Sequence, residues 1–263
     1  MPDEVRPALS DRAPVVIWEE RIAERASVVF PRDEGVEVAG VVLDGSVDLT
    51  PMDAQKARTV GGRWTAFRAP GAGVTLGGTG GKAARVALVV AVTERGTSLG
   101  GHLDQRDRPG ASFRWRWRVR KKRVDTFSFK ERPDLAWGGG AYHARIGWEP
   151  SKYRSGDGGK KGVEVDDQPA MVLDLVRISA DAALADDERG WESLALLEGD
   201  GAWVRKGTAG DVPVEARPGA VVTFAAGARY VWKPSGKGPL FVLQVYAPPG
   251  PEQRFKALAA KAP

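Results

Sequence analysis

The sequence contains no cysteine. Disulfides, thiolate metal sites and cysteine nucleophiles are therefore excluded. Asparagine is also absent, so there is no N-glycosylation acceptor. Histidine occurs only at His102 and His143. No apolar run approaches the roughly 20 residues of a membrane-crossing helix. The first twenty residues are mixed and polar and carry no secretory signal. The expected location is the cytoplasm, or outside it after removal of a leader. No Gly-x-Ser-x-Gly nucleophile elbow occurs. Residues 77–82 are glycine-rich and end in lysine, but they lack phosphate-loop spacing and a following helix.

What is present is 263 residues with a net charge of +5. That length allows one large domain or two small ones, each with a real core. Hydrophobic residues make up 42% and charged residues 28%, an ordinary folded balance. The basicity is local. Residues 106–132 hold eleven Arg or Lys against three acids, a net +8, which leaves the rest of the chain at −3.

The chain has 33 glycines and 18 prolines. Helical periodicity is scarce. Short β-rich runs recur instead, at 36–43, 47–49, 85–92, 113–119, 191–197, 202–205, 221–224, 230–232 and 240–246. Such runs between glycine turns predict an all-β sandwich or barrel. Asp44-Gly45 and Glu198-Gly199-Asp200-Gly201 read as hairpin turns. Two helices are expected, a short one over 19–26 and another over 251–262, where Pro then Glu suits a first turn.

An internal repeat accompanies this pattern. Val42-Leu43-Asp44-Gly45 resembles Leu196-Leu197-Glu198-Gly199 at an offset of 154. Gly71, Val74, Leu76 and the run 85–90 resemble Gly227, Tyr230, Trp232 and 241–246 at an offset of 156. A duplicated β module accounts for the order and spacing. The alternative is two unrelated hairpins with similar turns.

The second copy resembles a cupin. In that family one motif runs Gly, five residues, Pro-x-Gly, two residues, His, three residues, Asn. Here Gly219 is followed by Ala225-Ala226-Gly227, Tyr230 and Pro234. The glycines match, while Ala225, Tyr230 and Pro234 stand in place of Pro, His and Asn. The other motif ends in Glu, six residues, Gly, which Glu192 and Gly199 fit. Residues 244–252 resemble the tail of small cupins. The first copy is more eroded, anchored by Leu43-Asp44-Gly45 and Gly71. The chain thus resembles a bicupin over about residues 17–255.

The resemblance implies two double-stranded β-helix (jelly-roll) barrels. Residues 1–16 would be a tail, 17–95 a degenerate first barrel, 96–132 a basic connecting segment with a strand, 133–255 the second barrel and 256–263 a tail. It also implies a metal held by three His and one Glu, and that set is missing. Tyr230 takes the place of one His. The His-x-His pair falls on Asp186 and Glu188, or on Ala185 and Asp187. In the first copy, Val38 and Val74 occupy the Glu and His positions. No cofactor is expected; a divalent metal on Asp186, Glu188 and Glu192 is the lesser alternative, because neighbouring acids on a strand point to opposite faces.

The expected function is therefore a metal-free, degenerate bicupin that binds a small molecule or carbohydrate, or acts as a scaffold. Tyr230, Trp232, Glu192, Gln244 and His143 are the candidate lining of the second barrel. The rival reading is a cupin enzyme of isomerase, lyase or dioxygenase type, working without metal or with carboxylate ligands. A homodimer is a further expectation. Arg114–Arg120 alternates Arg with Trp and Val, so a strand would put its cations and aromatics on opposite faces. Single-strand nucleic-acid binding needs them together, so nucleic acid is not the expected partner, and an acidic partner or an intersubunit contact matches better.

Overall fold

The computed structural model of the chain describes residues 15–92, 124–147, 171–179, 184–187, 191–206, 212–224, 229–247 and 252–262. The basic run 114–120, His102 and Glu188 lie outside these residues, as does the side chain of Asp186.

The first half is a seven-stranded antiparallel sheet. Its strands are β1 (Val15–Ile22), β2 (Ser27–Asp44), β3 (Ser46–Pro51), β4 (Arg58–Gly61), β5 (Thr65–Gly78), β6 (Ala84–Val92) and β7 (Asp125–Ser128). The order is β1-β6-β2-β5-β3-β4, with β7 also on β5. The second half adds β8 (Leu135–Trp137), β9 (Tyr142–Ile146), β10 (Val172–Ile178), β11 (Leu184–Asp187), β12 (Trp191–Glu198), β13 (Gly201–Lys206), β14 (Val212–Ala216), β15 (Val221–Phe224), β16 (Arg229–Pro234) and β17 (Leu240–Ala247). These form one sheet ordered β15-β12-β17-β10-β9-β8 and another ordered β11-β16-β13-β14.

The repeat is visible in the pairing. β1 and β2 flank β6 as β10 and β12 flank β17. β3 lies between β4 and β5 as β13 lies between β14 and β16. In the first half, β2 and β5 are long enough to run through two walls of one barrel, bending at an irregularity between Arg32 and Glu37. The second half uses separate strands there, β11 with β12 and β15 with β16. Asp44-Gly45 and Glu198–Gly201 form equivalent turns, with φ of +76° at Gly45 and +85° at Gly199. The glycine-rich run 77–82 joins β5 to β6, as 235–239 joins β16 to β17.

One helix expectation fails. Residues 19–22 belong to β1, where Val15, Ile17 and Ile22 are buried around exposed or half-buried acids. Arg85, two residues along β6 from the residue facing Glu19, reaches diagonally across and holds both oxygens of Glu19, at 2.7 and 3.0 Å, which raises the guanidinium pKa further. Cross-strand pairing thus outweighs the helix-forming tendency of Glu and Arg. The C-terminal helix is present as α1 (Gln253–Ala260). It extends into the residues assigned to a tail. Phe255 is buried, its ring stacked 5.4 Å from Trp137. No helix among the described residues is long and apolar enough to cross a membrane.

Three apolar clusters result. Phe30, Val38, Val74, Leu76 and Val90 fill the first barrel. Seven aromatic residues, Trp137, Tyr230 and Trp232 among them, join aliphatic ones in the second. The third lies between them: Ala39, Val41, Val89 and Ala91 pack with Leu173, Leu175, Leu243 and Val245. The central strands therefore bury both faces, which explains their near-continuous apolar sequence.

Candidate functional site

Four of the five candidate side chains meet inside the second barrel. Alternation along β12, β16 and β17 turns Glu192, Tyr230, Trp232 and Gln244 inward. All four are at most 2% exposed. The Tyr230 phenol donates to Glu192, with oxygen separations of 3.1 and 3.0 Å. Gln244 Nε2 donates to the same carboxylate. Phe224 stacks on Tyr230 at 4.4 Å with rings 3° apart, and Trp203 meets Trp232 edge-on at 4.4 Å. Asp174 on β10, fully buried, pairs directly with Gln244. It is a second interior acid that strand alternation in the sequence had not singled out. The result is a packed aromatic interior around a small polar centre.

This centre differs from the donor set the resemblance implies. The groups shown are carboxylates, a phenol and an amide, with no imidazole. Tyr230 and Gln244 present hydrogens to Glu192 rather than lone pairs to a cation. The Trp203 indole N–H, buried without a hydrogen-bond partner among the described residues, is likewise a donor. In the first barrel Val38 and Val74 are fully buried hydrocarbon. Among the described residues no three His, Cys, Asp or Glu converge as metal ligands. Asp186 pairs through its backbone with Tyr230. The three-His, one-Glu chemistry does not fit these residues.

His143 is not in this interior. On β9 the inward residues are Tyr142, Ala144 and Ile146, so His143 and Arg145 face the other way. His143 Nδ1 lies 3.1 Å from Asp134 Oδ2, and Nε2 lies 3.1 Å from the Gly140 carbonyl. It lines a different feature, an open cleft of about 340 Å³ between the halves. The floor is Trp64, Phe129, Leu175 and Phe241, and the polar wall is Lys130, Asp134, His143, Arg145 and Arg177.

The cleft is built by register. His143, Arg177 and Phe241 lie side by side across β9, β10 and β17, with Arg145, Leu175 and Leu243 in a parallel row. Arg145 donates to the carbonyls of Phe129 and Lys130, both at 3.1 Å, and so ties the first half's edge to β9. Opposite stands Trp64, stacked on Phe241 at 5.7 Å, with Arg63 4.7 Å over its ring. Trp64 has φ of +70°. A bulky residue there costs about 1–3 kcal/mol. Two backbone bonds hold it: Trp64 N–H to the Val42 carbonyl at 2.8 Å, and Phe129 N–H to the Trp64 carbonyl at 2.9 Å. Of these residues the sequence flagged only His143. Its alternation with Arg145, and Arg177 as the one cation in the mostly apolar β10, were the available signals.

No protein-family model and no curated protein matches the chain. Solved structures do. The glyoxylate-induced protein of Pseudomonas aeruginosa superposes with a TM-score of 0.63 at 14% identity, over 92% of this chain and 78% of that one. Oxalate decarboxylase of Bacillus subtilis gives 0.59 at 13% identity, over 90% and 68%. The formate complex of oxalate decarboxylase from Lactobacillus farciminis gives 0.57 at 10% identity, over 89% and 76%. At such identities the likeness concerns architecture, and together with the repeated strand pairing it establishes that this chain has the bicupin fold.

Proposed function

We propose that the chain is a bicupin without the metal site of catalytic cupins, serving as a small-molecule-binding protein. The observation that carries this reading is the occupation of Glu192. Its carboxylate accepts from Tyr230 and Gln244 within a packed interior, where a cupin-type metal would need open lone pairs and three imidazoles. The first barrel offers Val38 and Val74 at the corresponding positions. One solved neighbour, oxalate decarboxylase of Bacillus subtilis, is described with Mn(II) centres. That chemistry is not proposed for this chain.

Metal analysis of the purified full-length chain, after incubation with Mn(II) and dialysis, tests the reading. Well under one metal ion per chain is expected. Stoichiometric manganese, iron, nickel or zinc would overturn it.

A further inference from the structure

We propose that the cleft between the two barrels binds a small organic anion with a planar aromatic body. The ligand would be the small molecule of the binding role above, held between the barrels rather than inside one.

Charge supports the anion. Lys130, Arg145 and Arg177 line the cleft against one carboxylate, Asp134. Asp134 is already engaged, by His143 at 3.1 Å and by Arg145 at 3.6 Å. Arg177 forms no ion pair with any described residue, although it stands half-buried beside Phe241 and His143. A guanidinium in that setting offers a planar fork of donors that matches a carboxylate. The Lys130 ammonium lies at the rim and adds a second cation.

The apolar floor selects the body of the ligand. Trp64 and Phe241 form a stacked pair in which Phe241 is half-buried, and the buried Phe129 and Leu175 back it from beneath. Flat rings and a polar edge suit a flat ligand with an anionic end. The strained backbone of Trp64, fixed by hydrogen bonds on both sides, keeps its ring at the cleft. Strain of this kind concentrates at ligand sites. Neither barrel completes the cleft alone, because Trp64 comes from the first half and Arg177, His143 and Phe241 from the second.

Calorimetric titration of the full chain with 2-naphthoate is the test. Saturable binding to one site is expected at about 1 mM or tighter. The neutral 2-naphthamide should bind about tenfold more weakly, and oxalate, which lacks a ring, should not saturate. Arg177→Gln should weaken 2-naphthoate about tenfold. Lys130→Ala, at an exposed side chain, should weaken it a few-fold without altering the melting temperature. No saturation by about 10 mM, equal affinity for the amide, or unchanged affinity in both variants would overturn the proposal. A metal found in the purified chain would defeat the metal-free reading and leave this titration to stand on its own result.

Discussion

Tyr230 lies across the buried carboxylate of Glu192, its phenol oxygen within 3.1 Å of both carboxylate oxygens. In the resembled family a histidine and a glutamate at these positions share a metal; here a proton joins the two side chains directly. Tyr230→Phe preserves the ring that stacks on Phe224 and removes only the hydroxyl. Leaving a buried acceptor short of its donor should cost about 1–3 kcal/mol. Urea denaturation of this variant, Glu192→Gln and the double variant should reveal a coupling of about 0.5–3 kcal/mol. Strict additivity would show that the bond contributes nothing.

The two barrels share a core, so they are expected to unfold together. Leu243 is fully buried in the cluster between them. Leu243→Ala should cost about 2–5 kcal/mol through lost burial and a residual cavity. Scanning calorimetry should show one transition for the parent and one, at lower temperature, for the variant. Two separated transitions in the parent would contradict a shared core.

Gly199 is constrained twice. Its φ is +85°, and an added Cβ would fall 2.6 Å from the Pro239 carbonyl oxygen. Gly139, with φ of +67°, has nothing within 4 Å of such a Cβ. Gly139→Ala should therefore cost only the left-handed backbone term, about 1–2 kcal/mol. Gly199→Ala should lose that and about 1–3 kcal/mol more from overpacking. Equal losses in chemical denaturation would show that the loop around Pro239 yields freely.

The barrel architecture was legible because it is written in local features: short runs, glycine turns and a repeat that preserves its spacing. Asp44-Gly45 and Glu198-Gly199 correspond by sequence alone. The polar centre was legible through the cupin resemblance, which assigns Glu192 and Tyr230 to motif positions on the barrel's inward face. The cleft was not. It depends on how one barrel's outer face meets the other's, and that contact has no sequence period. His143 was assigned to the barrel interior because a strand's two faces are equivalent until its neighbours are known. Residues 19–22 misled for a related reason: Glu19 is held in a strand by Arg85, a diagonal neighbour on β6 that local sequence does not reveal.

The Asp44 turn carries a small pH dependence. Lys82 donates to Asp44 at 3.1 Å and holds the carboxyl below its ordinary value of 3.8. A lowered carboxyl pKa adds stability above the unfolded value, and that stability is lost as pH falls through the folded one. The pair is exposed, so salt weakens it. Asp44→Asn can keep the acceptor for Gly45 N–H, now at 3.0 Å. It should lower the melting temperature slightly near pH 6 in low salt and not at about pH 2. An equal deficit at both pH values would assign the effect to packing.

Arg68 and Glu37 form the most buried ion pair described, with Nε and Oε1 2.6 Å apart and side chains 8% and 3% exposed. Glu37 and Arg68 alternate with the residues that fill the first barrel, so both point to its outer face, beside the shared core. Burying charges there is costly, and their mutual attraction is what offsets it. Arg68→Met keeps much of the side-chain length and removes the charge, leaving Glu37 in the same place without that partner. The loss should be about 3–5 kcal/mol, well beyond the 0–1 kcal/mol of exposed pairs. Arg32→Met, which breaks the exposed 3.4 Å contact with Asp53, is the matched control. If denaturant unfolding gave the two variants the same small loss, burial would not be what makes the Arg68 pair matter.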